Sequence, residues 1–192
     1  MTAAALITAF VVATVPLVPT EPVLVGLGVL AASEHTVPVT VIIVGAIGCA
    51  LSDHILYVVG RIAGGRGMAW LVRKPAGVAA HAWLTRSIAR WGASVLVAGR
   101  WLPAGGTAGA VLAGASAWRL RRFSPASIAG STLWAAYATL LGYFGGAVTR
   151  QPVTGFLLSL GIATGLTLLT SLLVRRPRTS APPPKASADA NS

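Results

Sequence analysis

Two charged side chains stand beside prolines inside long apolar stretches: Glu21 in LVPTEPVLVGLG and Arg100 in VAGRWLPAGGTAG. They occupy the same relative place in two halves of the chain that look alike. Charge is costly in apolar surroundings, so residues of this kind point to function. Glu21 follows a break and stands at the start of a half-helix, where exposed amides and the helix dipole favour a carboxylate. Such a group can load and release a proton; the alternative is a helix cap at the membrane surface. Arg100 precedes Pro103 by three residues, and Gly105 and Gly106 let backbone amides come close to a ligand. An arginine fork beside a half-helix N-terminus is a cradle for phosphate. The alternative is an arginine that snorkels to the inner surface. Asp53 is the acid of a full apolar span, with His54 beside it and Tyr57 one turn on. Asp53 and Tyr57 share a helix face, which makes Asp53 a second proton-coupling candidate and Tyr57 its support. Asp53 reads equally as a neutralising partner for Arg61 or Arg100. His54 points away from Tyr57 and reads as an interfacial residue.

The elements that must position these groups follow from composition. Of 192 residues 55% are hydrophobic, and the mean hydropathy is +0.75, which is too apolar for an ordinary soluble domain. The chain reads as an all-α integral membrane protein. Fifteen Lys and Arg face four acids, for a net charge of +11, a balance that elsewhere signals nucleic-acid binding. The distribution excludes that here. No Lys or Arg precedes Arg61, and the basic residues gather at 61–90, 119–122 and 175–185, on the flanks of apolar segments. That is the positive-inside pattern of a multi-pass membrane protein with its C-terminus in the cytoplasm. The single cysteine, Cys49, excludes an intrachain disulfide and reads as a buried inert thiol. Residues 1–20 carry no basic side chain and are read as mature structure rather than as a cleaved leader. His35 and His81 lack any partner pattern, so no metal site and no cofactor are expected.

Residues 38–60, 124–146 and 153–174 are nearly charge-free and long enough to cross about 30 Å of hydrocarbon, so they are read as full spans. Two further apolar regions, 3–33 and 92–118, are interrupted by Pro16, Pro19 and Pro22 and by Pro103, Gly105 and Gly106. Each is read as a re-entrant hairpin of two half-helices, which enters and leaves by one side where neighbouring protein satisfies its backbone. Residues 61–91 alternate basic side chains with Trp70, Trp83 and Trp91 and read as an interfacial segment on the inner leaflet, or as a solvated loop with aromatic anchors. The membrane domain is therefore 1–174, and 175–192 is a Pro-, Ser- and Ala-rich tail without an apolar face, read as disordered.

Weak self-similarity joins the halves. Gly48, Gly60 and Gly64 find counterparts in Gly130, Gly142 and Gly146, and each half reads as a broken hairpin followed by a full span. With the basic segments on one side, the first hairpin opens outward and the second inward, an inverted-topology repeat followed by one C-terminal helix. Motifs of enzymes are missing: there is no P-loop, dinucleotide fingerprint, nucleophile elbow or HExxH, and four acids cannot build the metal clusters of lipid transferases. An enzyme is not expected.

Four pieces together carry a resemblance: VPTEPVLVGLGVLAA, GCALSDHILYVVGRIAGGRG, GRWLPAGGTAGAVLAGASAWRLRRF and GSTLWAAYATLLGYFGG. In order and spacing the chain resembles the DedA family of membrane proteins, also called the SNARE-associated or VTT-domain family, over roughly residues 14–146. Gly48 and Tyr57 match the family's Gly and Tyr nine residues apart, while Ser52 stands where a branched apolar residue is usual. The resemblance implies two oppositely facing re-entrant hairpins and proton-coupled movement of a lipid phosphate such as undecaprenyl phosphate, or of a phospholipid. It also implies that Glu21 is the acid of the first hairpin motif and Arg100 the first arginine of an R-x-x-P-x-x-R pattern. This chain departs from the pattern at Gly106, where the second arginine would fall, and in having no acid within residues 3–18.

The partners implied are membrane lipids, through a phosphate headgroup, and protons; a homo-oligomer is left open. Two rival readings stand beside the carrier. One is a non-transporting membrane scaffold that binds lipid or protein, favoured by the missing arginine. The other is an exporter of small cations, built on a buried acid.

Overall fold

The computed structural model describes residues 2–71, 93–102, 105–149 and 152–175, with isolated positions 78, 82, 86, 87 and 90. Pro103, most of the 61–91 segment beyond Leu71, and the tail from 176 lie outside the described residues. No strand occurs among the described residues.

The first apolar region forms two short helices, α1 (Ala3–Thr14) and α2 (Glu21–Ser33). Between them the chain turns at Leu17, whose φ is +73°. The second region forms α4 (Ser94–Gly99) and α5 (Gly105–Ala115), and between the two regions runs α3 (Val39–Leu71). Two long helices follow, α6 (Leu120–Thr149) and α7 (Pro152–Arg175). Proline opens α7, where its missing amide costs nothing. Helix α3 continues past residue 60, the expected end of its span, because glycine rather than the first arginine interrupts it. Gly64 takes φ +47° and ψ −138°, which breaks the helix into two pieces.

Val39–Gly64 is, among the described residues, the one helix long and apolar enough to cross a membrane by length and composition, with a hydropathy of 2.0. The expected spans 124–146 and 153–174 lie within α6 and α7, which have the length. The composition of α6 is diluted by Ser127, Ser131 and Thr139, which it turns inward, whereas α7 is apolar over Phe156–Leu166 among the described residues. Apolar side chains cover the outside as well as the cores. Ile43, Ile47, Leu51 and Ile55 form an exposed stripe at helical spacing, while the polar side chains of Ser52, Asp53, Ser127, Ser131, Thr139 and Ser159 are buried. An apolar outside over buried polar groups suits hydrocarbon as solvent.

The halves are held together by crossed contacts at glycine. A Cβ on Gly28 of α2 would land on the Thr139 carbonyl oxygen of α6, and one on Gly142 of α6 would land on the Val25 carbonyl oxygen of α2. On the other side, a Cβ on Gly114 of α5 would land on the Tyr57 carbonyl oxygen of α3, and one on Gly60 of α3 on that of Val111 in α5. Small residues thus let each short helix touch the long helix of the opposite half backbone to backbone. Both short helices close alike: Thr36 N donates to Ala31 O after His35 at φ +54°, and Trp118 N donates to Ala113 O after Ala117 at φ +55°, each at 2.9 Å. These closures lie 82 positions apart, as do Gly60 and Gly142. The glycines that receive the long helices do not. The counterpart of Gly28 at that offset is Ala110, yet Gly114, one turn further along, makes the contact. The register of α5 on α3 therefore differs by one turn from that of α2 on α6, and the position of the glycine decides it.

Two apolar cores flank the middle of the bundle. Leu24, Val25, Val41, Ala46, Ala135 and Ala138 form one; Leu56, Tyr57, Ala110, Ala113 and Phe123 form the other.

Candidate functional site

Asp53 sits midway along α3 and turns inward, 6% exposed. A carboxylate there must be paired or solvated by hydrogen bonds. Arg100, which caps the end of α4, supplies the charge: its Nη1 donates to Asp53 Oδ2 at 2.5 Å. Two hydroxyls of α6 converge on the same oxygen, Ser127 Oγ at 2.8 Å and Ser131 Oγ at 3.3 Å. Arg100 is thus drawn inward rather than snorkelling out, and Asp53 pairs with it and not with Arg61, which is exposed.

Arg100 can reach inward because the chain tightens around it. Trp101 N donates to Ala98 O at 3.2 Å, Leu102 N to Gly99 O at 3.0 Å, and Gly105 N to Leu102 O at 2.8 Å. Gly105 meets the end of α4 so closely that a Cβ would fall on the Gly99 carbonyl oxygen. Gly106 lies against the arginine itself, with a built Cβ 3.4 Å from Arg100 Cγ and 3.6 Å from Nη1.

A cavity of about 400 Å³ opens beside this pair. Glu21, Asp53, Arg100, Gly105 and Gly106 all line it, together with Thr20, Ser52, Cys49, Trp101 and Trp134. Glu21 opens α2, where the helix dipole favours a negative group, and its Oε1 is buried without a hydrogen-bond partner. Trp101 packs edge to face on Trp134 and on Tyr137, which are tilted against each other, with ring centroids 4.9 to 5.7 Å apart. The cavity therefore offers one guanidinium, two carboxylates and a set of backbone amides near the start of α5. That is the equipment for holding an anion and exchanging a proton. No group of three or more potential metal-ligating side chains occurs among the described residues.

Tyr57 is not part of this cavity. Its hydroxyl donates to the Trp118 carbonyl at 2.5 Å and its ring stacks on Phe123 at 4.7 Å. His54, read from the sequence as an interfacial residue, finds partners within the bundle. It is half-buried between α3 and α6, its Nδ1 donating to Ala50 O at 2.7 Å and its Nε2 pairing with Ser124 Oγ at 2.9 Å. Sequence reasoning missed the serines. The available signal was PASIAGST, where Ser127 and Ser131 stand four apart with Gly130 between, one face of a helix in an otherwise apolar run.

A family model, the VTT domain, matches residues 18–144, two-thirds of the chain. The chain belongs to the VTT domain family. The matched stretch of this DedA-type membrane protein contains every residue that lines the cavity from Val18 onward, and all four glycines of the crossed contacts. No curated protein and no solved structure matches the chain.

Proposed function

We propose that this VTT domain protein carries a lipid phosphate, of the undecaprenyl phosphate or phospholipid kind, across a bacterial inner membrane with proton coupling. In this reading Arg100 and the amides after Pro103 hold the headgroup, and Glu21, with Asp53, exchanges the proton. One observation carries it: Glu21, Asp53 and Arg100, distant in sequence, line a single cavity beside two interrupted helices. Helices α1, α2, α4 and α5 have 12, 13, 6 and 11 residues, about 18, 20, 9 and 17 Å, each short of the hydrocarbon thickness. Paired as re-entrant hairpins that open to opposite sides, they would bring the cavity to the middle of the membrane, with the C-terminus in the cytoplasm. The crossed glycine contacts between halves support this inverted arrangement.

Purified protein in liposomes holding undecaprenyl phosphate tests the proposal, by following headgroup appearance on the far leaflet with and without a proton gradient. Gradient-dependent movement, lost in Arg100→Ala and Glu21→Gln, is expected. Movement no faster than in protein-free liposomes would overturn it for this lipid and favour the second reading, a lipid- or protein-binding scaffold. That reading draws on the pairing of Arg100 with Asp53 and on Gly106 in place of a second arginine.

A further inference from the structure

In the described arrangement Arg100 donates through Nη1 to Asp53 Oδ2, the place that one oxygen of a phosphate gripped by the guanidinium fork would take. A ligand anion that binds both arms of the fork displaces that carboxylate. The displaced carboxylate stays in a buried place, where an ion without donors is severely destabilised. Two donors are already in position. Ser127 Oγ and Ser131 Oγ approach the same oxygen, from α6 and not from the helices that carry Asp53 or Arg100. They are 5% and 0% exposed, so they do not exchange this partner for water. A void of about 10 Å³, at most the size of one water, borders Asp53, Arg100, Gly106 and Ser127. We infer that Ser127 and Ser131 are positioning residues, which retain Asp53 while Arg100 turns to an oxyanion and so make the internal carboxylate an exchangeable stand-in for the ligand phosphate.

The inference rests on the reading of the cavity as a phosphate site, and the test separates the two. Farnesyl phosphate and inorganic phosphate are titrated into detergent-solubilised full-length protein, the first probing a lipid-borne phosphate and the second a free one. Four forms are compared: wild type, Ser127→Ala with Ser131→Ala, Asp53→Asn, and all three changes together. Hydrogen bonds to charged groups are strong enough that losing both serines should weaken binding by about tenfold or more. Asparagine at 53 has no charge to retain, so in its background the serine changes should alter binding by less than about threefold, a coupling that a merely structural role would not produce. Equal loss in both backgrounds, or no loss in either, overturns the positioning role while leaving the phosphate site standing. No binding of either probe by wild type overturns the phosphate site, and the positioning role falls with it. Should the double serine variant fail to fold, Ser127→Ala alone carries the comparison, with Ser127→Thr expected to recover wild-type affinity by restoring a hydroxyl.

Discussion

Arg100 and Asp53, 47 positions apart in sequence, meet Nη1 to Oδ2 at 2.5 Å and tie the end of α4 to the middle of α3. The guanidinium side is 14% exposed and the carboxylate side 9%. Removing one partner of so buried a pair leaves the other uncompensated, at a cost of about 3–5 kcal/mol. Arg100→Ala should therefore unfold well below wild type in a thermal melt in detergent, and Arg100→Ala with Asp53→Asn should recover much of the difference. A double variant no more stable than Arg100→Ala would show that the pair is not what holds α4 to α3.

The crossed glycines make a second prediction, about packing alone. At Gly28, Gly60, Gly114 and Gly142 a methyl group would collide with backbone, which no rotamer change relieves. Alanine at any of the four should cost about 1–3 kcal/mol or more, because helices have to move apart. Gly161 and Gly165 of α7 meet nothing within 4 Å, and alanine there should be neutral or stabilising by up to about 1 kcal/mol through helix propensity. Melts of the six single variants would test both halves of the contrast.

These glycines also show how far the chain was legible. Hydropathy located every helix that flanks the cavity, since proline at 16–22 and glycine at 105–106 interrupt apolar runs that nothing else divides. The long-helix glycines, Gly60 and Gly142, were visible as counterparts. Gly28 and Gly114 were not, because the one-turn difference between them reflects how each short helix lies on its neighbour, and register across a tertiary contact leaves no periodic trace in one chain. The same holds within the site. Glu21, Asp53 and Arg100 stood out as charges in apolar surroundings, whereas Ser127 and Ser131 are common residues of a long helix and gain meaning only from facing Asp53. His54 shows the same: its position on α3 was plain, but its partner Ser124 lies on another helix.

Tyr57 separates stability from transport. Its hydroxyl serves the Trp118 carbonyl, beside the turn that closes α5, and its ring serves the Phe123 stack; neither faces the cavity. Tyr57→Phe keeps the stack and leaves one carbonyl short of a donor, a loss of about 1 kcal/mol. Melting should fall slightly while gradient-dependent headgroup movement persists at the wild-type rate per folded molecule. A variant that melts normally yet fails to transport would give Tyr57 a direct part in the mechanism.

Glu21 is the opposite case. Its Oε1 is buried without a partner, a cost that its favourable place at the start of α2 offsets only in part. Glutamine conserves the shape and removes the exchangeable proton. Glu21→Gln should melt at or above the wild-type temperature and still bind farnesyl phosphate through Arg100, yet lose movement that depends on a proton gradient. Gradient-dependent movement retained in this variant would remove Glu21 from the coupling.

Gly106 allows the anion site to be strengthened rather than broken. A Cβ there has ordinary van der Waals room against the Arg100 stem, 3.4 Å from Cγ, so a side chain can start from this position without displacing backbone. Residue 106 lines the cavity, and it lies in the first turn of α5, where amides already favour an anion. Gly106→Arg would place a second guanidinium beside one that Asp53 neutralises. Asp53 is already paired with Arg100, so apart from Glu21 across the cavity the added cation is left for an incoming phosphate, to which it offers a fork-shaped set of donors. Inorganic phosphate and farnesyl phosphate should both bind about tenfold tighter, with affinity falling more steeply as salt is raised. Unchanged affinity in a folded variant would mean that residue 106 does not face the bound anion, and the headgroup would have to lie on the Glu21 side of the cavity instead.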